Sequence, residues 1–136
     1  IQIFEGARCC AYELTVHQDR LSAKLLDLLA PAAGLTYAAY AEALALAAAC
    51  RQQLEAMFTD HDVLLVPSAP GEAPVGLEAT GNPIFNRMWT LLHTPAVTLP
   101  SHTGPHGLPV GVQVIGPLGM DDRLLAIAAW MHTRLV

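Results

Sequence analysis

The turn-forming residues of this chain are confined almost entirely to one part of it. Of its 10 prolines only Pro31 precedes residue 62, and of its 10 glycines only Gly6 and Gly34 do. Proline removes a backbone donor and fixes φ, and glycine raises the entropic cost of ordering, so both interrupt regular elements. The first 61 residues are therefore free to form long helices. The remainder must be assembled from short elements joined by turns. The expected organisation is a helical part over residues 1–61 and a strand-and-turn part with a closing helix over 62–136.

Within the helical part, the periodicity predicts a first helix from about Phe4 to Val16. Ser22 can N-cap a short second helix through Leu29, which Pro31 and Gly34 stop. Thr36 can cap a third helix reaching about Phe58 that is apolar on nearly every face, the pattern of a helix buried on more than one side. In the second part, Val63-Leu64-Leu65-Val66, Ala96-Val97-Thr98-Leu99 and Val110–Ile115 are apolar runs bounded by Asp, Pro or Gly. Such runs suit strands covered on both faces. Asn82 followed by Pro83 is a helix start, with an amide cap and proline at the first helical position. Asp121 and Asp122 put negative charge at the N-terminus of the last helix, where the dipole favours it. Its expected apolar stripe is Leu124, Leu125, Ala128 and Ala129 with Met131 or His132. Helices packed on three strands make an α/β arrangement with too few strands for a complete sheet.

The composition points the same way. The chain is 53% hydrophobic and 14% charged, against roughly 25% charged in ordinary globular proteins. Apolar faces left over from its own folding need cover, and the chain opens at Ile1 already approaching a helix. We expect a piece of a longer polypeptide, its apolar faces covered by missing parts of that polypeptide or by a partner subunit, and self-association of the piece when isolated. Net charge is −5 with seven scattered basic residues, which argues against nucleic acid as a primary partner. The apolar run Tyr37–Cys50 contains Glu42, precedes Arg51 and is too short for a membrane span. Cys9, Cys10 and Cys50 lack CxxC spacing and read as small buried side chains in a reducing cytoplasm.

No catalytic constellation is legible. Ser68 and Ser101 each follow a proline at a strand end, outside any GxSxG elbow, and read as turn serines. Lys24, the single lysine, lies beside Leu25 and Leu26 on a helix and reads as part of a solvated face. His93, His102 and His106 have no acidic ligand between them, so neither a metal nor another cofactor is called for. The pairs Asp60/Asp62 and Asp121/Asp122 are explained by the ends of elements.

A resemblance adds what the chemistry does not. Asp62-Val-Leu-Leu-Val-Pro67, then Ala73–Pro74, Thr80–Gly81, Phe85–Asn86 leading to Trp89, and Thr94–Pro95–Ala96 follow one another in a recognisable order. Gly107-Leu-Pro-Val-Gly-Val-Gln113 continues to Ile115–Gly116, Asp122 and Leu124–Leu125. Upstream, Phe4–Arg8 and the Leu21–Ser22 step fit as well. This order resembles the C-terminal portion of the amidase signature family, serine hydrolases that cleave carboxylic amides. One departure is His93, where many members have glycine before the Thr-Pro-Ala step.

The resemblance implies the C-terminal part of a larger α/β fold, with helices packed on a few strands of a mixed sheet. It implies a serine nucleophile, a bridging cis-serine and a lysine base, all upstream, so that no catalytic residue lies in these 136 residues. It also implies a small amide as substrate of the complete enzyme, with Phe85, Asn86, Met88, Trp89, Leu92 and His93 as candidates for the acyl-side pocket. If Asn82–Pro83 starts a helix, Phe85, Met88, Trp89 and Leu92 share one face, as pocket wall or as core; both readings stand. His93 is expected to narrow or polarise that pocket. Three functions compete: a plain amidase, the glutamine-hydrolysing subunit of a tRNA amidotransferase, and an inactive interaction module. Arg87 without a neighbouring acid favours the plain amidase over glutamine recognition.

Overall fold

The computed structural model describes residues 1–135. They form two compact units, Ile1–Ala48 and Ala49–Val136. The division falls inside a helix rather than at residue 61, where composition changes. Its physical reason is that Cys50, Leu54 and Phe58, at the end of that helix, pack into the strand core of the second unit.

The first unit is helical. The expected helix Phe4–Val16 is two helices, α1 (Gln2–Cys9) and α2 (Ala11–Val16), interrupted at Cys10, whose φ of −95° and ψ of 17° leave the helical basin. Helix α3 (Ala23–Leu29) is N-capped as anticipated, Ser22 Oγ accepting from the Leu25 N–H. Two short 3-10 turns, Gln18–Arg20 and Ala30–Gly34, join these to α4 (Tyr37–Met57). The Ala39 N–H donates to Thr36 Oγ1, the cap that starts α4. Phe4 anchors this unit: it is 3% exposed, stacks on Tyr40 at 4.3 Å, and has the Arg8 guanidinium 3.1 Å from its ring centroid. Tyr40 also donates to Glu5 Oε1 at 2.6 Å, which holds its phenol above the usual tyrosine range.

Helix α4 does not bury itself on several sides. Tyr40, Ala43, Ala47, Cys50, Leu54 and Phe58 form one buried or half-buried stripe, while Leu44 and Leu46 remain exposed. Among the described residues no single helix is long and apolar enough to cross a membrane; α3 and α4 reach that apolar length only jointly, across a sharp bend. The cysteines are less buried than anticipated, Cys9 being exposed and Cys10 and Cys50 half-buried.

The second unit is a three-stranded antiparallel sheet of β1 (Leu64–Pro67), β2 (Ala96–Thr103) and β3 (Pro109–Ile115) in the order β1-β3-β2. Strands β2 and β3 form a hairpin, and a bulge at Ser101 follows Pro100, which lacks the N–H a regular ladder needs. The register sets Val66, Gln113 and Thr98 side by side, flanked by the row Leu64, Ile115 and Ala96. On this face Leu64, Val66 and Ile115 pack with Trp89 and Leu92 of α5 (Arg87–Leu92) and with the end of α4. On the opposite face Val97, Leu99, Val112 and Val114 pack under α6 (Asp121–Leu135).

Double coverage therefore holds only for the central strand. β3 is buried along its second half, whereas β1 and β2 alternate, leaving Leu65 exposed on one face and Ala96 and Thr98 on the other. In α6 the buried stripe is Leu124, Ala128 and Met131; Leu125 and Ala129, expected to share it, face solvent. Gly116 explains the close seat of α6, since a Cβ there would stand 3.2 Å from Leu124 Cβ.

Candidate functional site

A cleft of about 660 Å³ opens in the second unit. One side is the loop 68–74 that follows β1, another is the segment 80–83 with Asn86, and the floor comes from Thr98, Pro100, Pro109 and Gly111 of the hairpin. Five prolines in the lining make it rigid as well as apolar.

Three residues of the Gly107–Gln113 segment shape this cleft. Gly107, at φ +83°, supplies the left-handed position that lets the hairpin tip close. Gly111 permits close approach: a Cβ there would lie 2.7 Å from Thr98 Cγ2, 2.8 Å from Ser68 Oγ and 2.9 Å from the Leu99 carbonyl. In that space the Ser68 N–H and hydroxyl both donate to the Gly111 carbonyl, at 3.1 and 2.7 Å, fastening the start of the loop to β3. Gln113, 7% exposed, donates from Nε2 to Asn86 Oδ1 at 2.9 Å, and Asn86 Nδ2 donates to the Ser68 carbonyl at 3.0 Å. A continuous polar chain thus runs from β3 through Asn86 to the loop wall.

The far end of the loop is fastened by Glu72, a residue that carried no signal in the sequence. Its side chain is 9% exposed and accepts from the His106 N–H at 2.9 Å, the Leu108 N–H at 3.0 Å and His106 Nδ1 at 2.6 Å. Burial pushes the Glu72 carboxyl up, but the bonds from His106 and the two backbone N–H groups outweigh it and hold it below its ordinary 4.5. Gly104 makes room for this carboxylate, since a Cβ there would fall 2.4 Å from Glu72 Cγ.

Of the six residues expected to face a pocket, Asn86 lines this cleft. The other five do not. Regular helix begins at Arg87, not at Pro83, because residues 84–86 form a turn in which Asn82 Oδ1 accepts from the Ile84 N–H and the Pro83 carbonyl accepts from Asn86 and Arg87. Phe85 consequently sits in the turn, half-buried, off the helical face it was expected to share. Trp89 and Leu92, 6% and 8% exposed, belong to the core with Leu54 and Ile115, and Met88 is 49% exposed. His93 ends α5 at φ +60°, the only non-glycine with positive φ among the described residues. Its Nε2 lies 3.1 Å from Arg51 Nη2, and Arg51 also donates to the Leu91 carbonyl. Arginine only donates, so Nε2 is the acceptor and Nδ1 carries the proton.

The serines and histidines weighed for chemistry are otherwise engaged. Ser68 donates to Gly111, Ser101 Oγ lies 2.7 Å from His102 Nδ1, and His106 pairs with Glu72. Among the described residues no three His, Cys, Asp or Glu side chains converge.

The amidase family profile matches residues 18–125 of this chain. The glutamyl-tRNA(Gln) amidotransferase subunit of Synechococcus sp. (strain RCC307) is 31% identical over 111 residues, which is 76% of this chain and 23% of that protein. The solved structure titled "Crystal structure of amidase" superposes on 98% of this chain with a TM-score of 0.88 at 30% identity, and the match spans 33% of that chain. 6-Aminohexanoate cyclic dimer hydrolase shares the fold, with a TM-score of 0.69 at 23% identity over 88% of this chain and 29% of that one. The chain thus spans 23% to 33% of the length of these proteins.

Proposed function

The chain belongs to the amidase family, and on that premise we propose that it is the C-terminal part of an enzyme that hydrolyses a carboxylic amide to an acid and ammonia or an amine. The observation that carries this reading is the match over nearly the whole chain to a solved amidase at 30% identity. The motif shared with the family is also the segment that shapes the cleft through Gly107, Gly111 and Gln113. In this reading the serine nucleophile, the bridging cis-serine and the lysine base come from the rest of the polypeptide. The nucleophile attacks the amide carbonyl, the amine departs, and water releases the acyl-enzyme. The residues of this chain wall the acyl side of the site, with Asn86 and the loop 68–74 facing substrate and Trp89 and Leu92 packing behind them.

A second reading follows from the relatives named as glutamyl-tRNA(Gln) amidotransferase subunits: a protein that hydrolyses glutamine and passes on ammonia. Recognition of glutamine requires counter-charges for its ammonium and carboxylate ends. The one ionisable residue in the cleft lining is Glu72, already bound to His106 and Leu108, which favours the plain amidase. The cellular setting we propose is the cytoplasm.

The test is ammonia release by the protein expressed from its complete reading frame, with butanamide, benzamide and glutamine as substrates. Release from the uncharged amides with little from glutamine supports the proposal. Release from glutamine alone moves it to the second reading, and release from none of the three refutes both. Residues 1–136 expressed alone are expected to release none.

A further inference from the structure

The Gln113–Asn86–Ser68 chain does more than brace the cleft. Its polarity is fixed at one end, because the Ser68 carbonyl is an acceptor only and must face Asn86 Nδ2. Asn86 Oδ1 therefore faces Gln113, and Gln113 must present Nε2 to it. This assignment follows from the bonding pattern and leaves no freedom to flip either amide. It spends one N–H and one lone pair of Asn86 on the protein. One N–H and one lone pair remain, on a half-buried side chain that lines the cleft.

Gln113 is an expensive residue for its position. It is 7% exposed, in a strand that continues into the wholly buried Val114 and Ile115, and its Oε1 has no donor among the described residues. Burying an amide with an unmatched acceptor opposes folding, and an apolar side chain would avoid that cost. What Gln113 contributes that an apolar residue cannot is the orientation of Asn86. Of the other polar side chains in the lining, Ser68 Oγ is engaged with Gly111, Asn82 Oδ1 with Ile84, and Glu72 with the hairpin tip, while the Thr80 and Thr98 hydroxyls also line the cleft.

We propose that Asn86 reads the acyl group of the substrate, with Gln113 as the positioning residue that holds its amide, and that the acyl group preferred is uncharged and carries a hydrogen-bond acceptor. The inference rests on the amide-hydrolase reading of the cleft and adds a substrate class to it. A free N–H fixed in an apolar, proline-lined cleft discriminates against a group that leaves it unpaired. The same cleft has no unengaged charge to hold an ionised substituent.

The experiment uses the protein from the complete reading frame and two nearly isosteric pairs. Butanamide is compared with methoxyacetamide, in which an ether oxygen replaces a methylene, and benzamide with nicotinamide, in which nitrogen replaces a ring CH. Each kcat/KM ratio is divided by the ratio of alkaline hydrolysis rates, which removes the inductive effect of the heteroatom. The expected result is a corrected preference of about tenfold for the acceptor-bearing member of at least one pair, the scale of one hydrogen bond. Asn86→Leu and Gln113→Met should each erase that preference. The double variant should erase no more than Asn86→Leu alone, since Gln113 acts through Asn86. Asn86→Ala, which also withdraws the N–H and adds no donor, serves if the leucine variant does not fold.

A wild-type enzyme that hydrolyses both pairs without preference overturns the inference and leaves the amidase reading intact. A preference that survives Asn86→Leu or Asn86→Ala does the same. Additive effects of the two substitutions overturn the positioning role of Gln113. A wild-type enzyme that hydrolyses no amide removes the amidase reading, and the inference with it.

Discussion

Substitution of Trp89 separates the two roles its sequence position allows, pocket wall and core. The indole is 6% exposed and packs with Leu54, Leu92 and Ile115, where α5 meets the sheet. Truncating a buried tryptophan to alanine removes its transfer free energy and leaves a cavity, a combined cost of about 3–5 kcal/mol. At about 1.4 kcal/mol per decade this lowers the folding equilibrium by roughly two to three and a half decades. Phenylalanine tests the finer point. Trp89 Nε1 is buried without an acceptor among the described residues, and an unmatched buried donor costs about 1–3 kcal/mol. Trp89→Phe sheds that donor while losing part of the ring, so it should lie within about 1 kcal/mol of wild type. The assay is urea unfolding of the complete protein, with kcat/KM for acetamide and benzamide measured alongside. A core residue lowers the unfolding midpoint and affects both substrates alike. An unchanged midpoint after Trp89→Ala, with selective loss of benzamide turnover, would refute the core placement. A Trp89→Phe variant as damaged as Trp89→Ala would show that Nε1 has a partner.

Glu72→Gln should destabilise the protein near neutrality. Because the folded carboxyl titrates below 4.5, its stabilisation is present above that pH and is lost as pH falls through the lowered value; Tm of wild type and variant measured from about pH 7 to pH 3 should converge, and a difference that grows toward acid would contradict the hairpin latch. Gly111→Ala introduces a methyl group 2.7–2.9 Å from Thr98, Ser68 and the Leu99 carbonyl, so a loss of about 1–3 kcal/mol is expected, and a change under about 0.5 kcal/mol would argue against the close approach. At His93, glycine removes the left-handed penalty of about 1–2 kcal/mol but forfeits an exposed contact with Arg51 worth about 1 kcal/mol or less. His93→Gly should therefore remain within about 1 kcal/mol of wild type in Tm-derived stability, with His93→Val clearly worse; equal Tm values for the two would count against backbone strain there. Residues 1–136 expressed alone should self-associate, since Val75 and Leu77 are fully exposed and β1 and β2 each keep an open edge; a monomer at high concentration in sedimentation that binds no hydrophobic dye would speak against it.

What the sequence determined by itself was written in interactions a few residues long. Ser22 and Thr36 cap helices three positions ahead, and prolines and glycines bound each strand, because caps, turns and propensities act within a turn or two of the chain. The order of motifs also identified the family. Local signals misled where a tertiary contact competes with them. Asn82–Pro83 starts a turn rather than α5, with Asn86 turned toward Gln113 and Ser68, and the apolar faces of α4 and β1 are only partly used within these residues. Apart from Asn86, which the resemblance already offered as a pocket residue, the cleft was decided by the tertiary structure. Its supports join Asn86 to Gln113 across 27 residues, Glu72 to His106 across 34 and Ser68 to Gly111 across 43. No periodicity records such pairings. They exist because strand order and antiparallel register bring the segments together, and only then does the glycine at 111 acquire a reason to be glycine and the buried glutamine at 113 a reason to be polar.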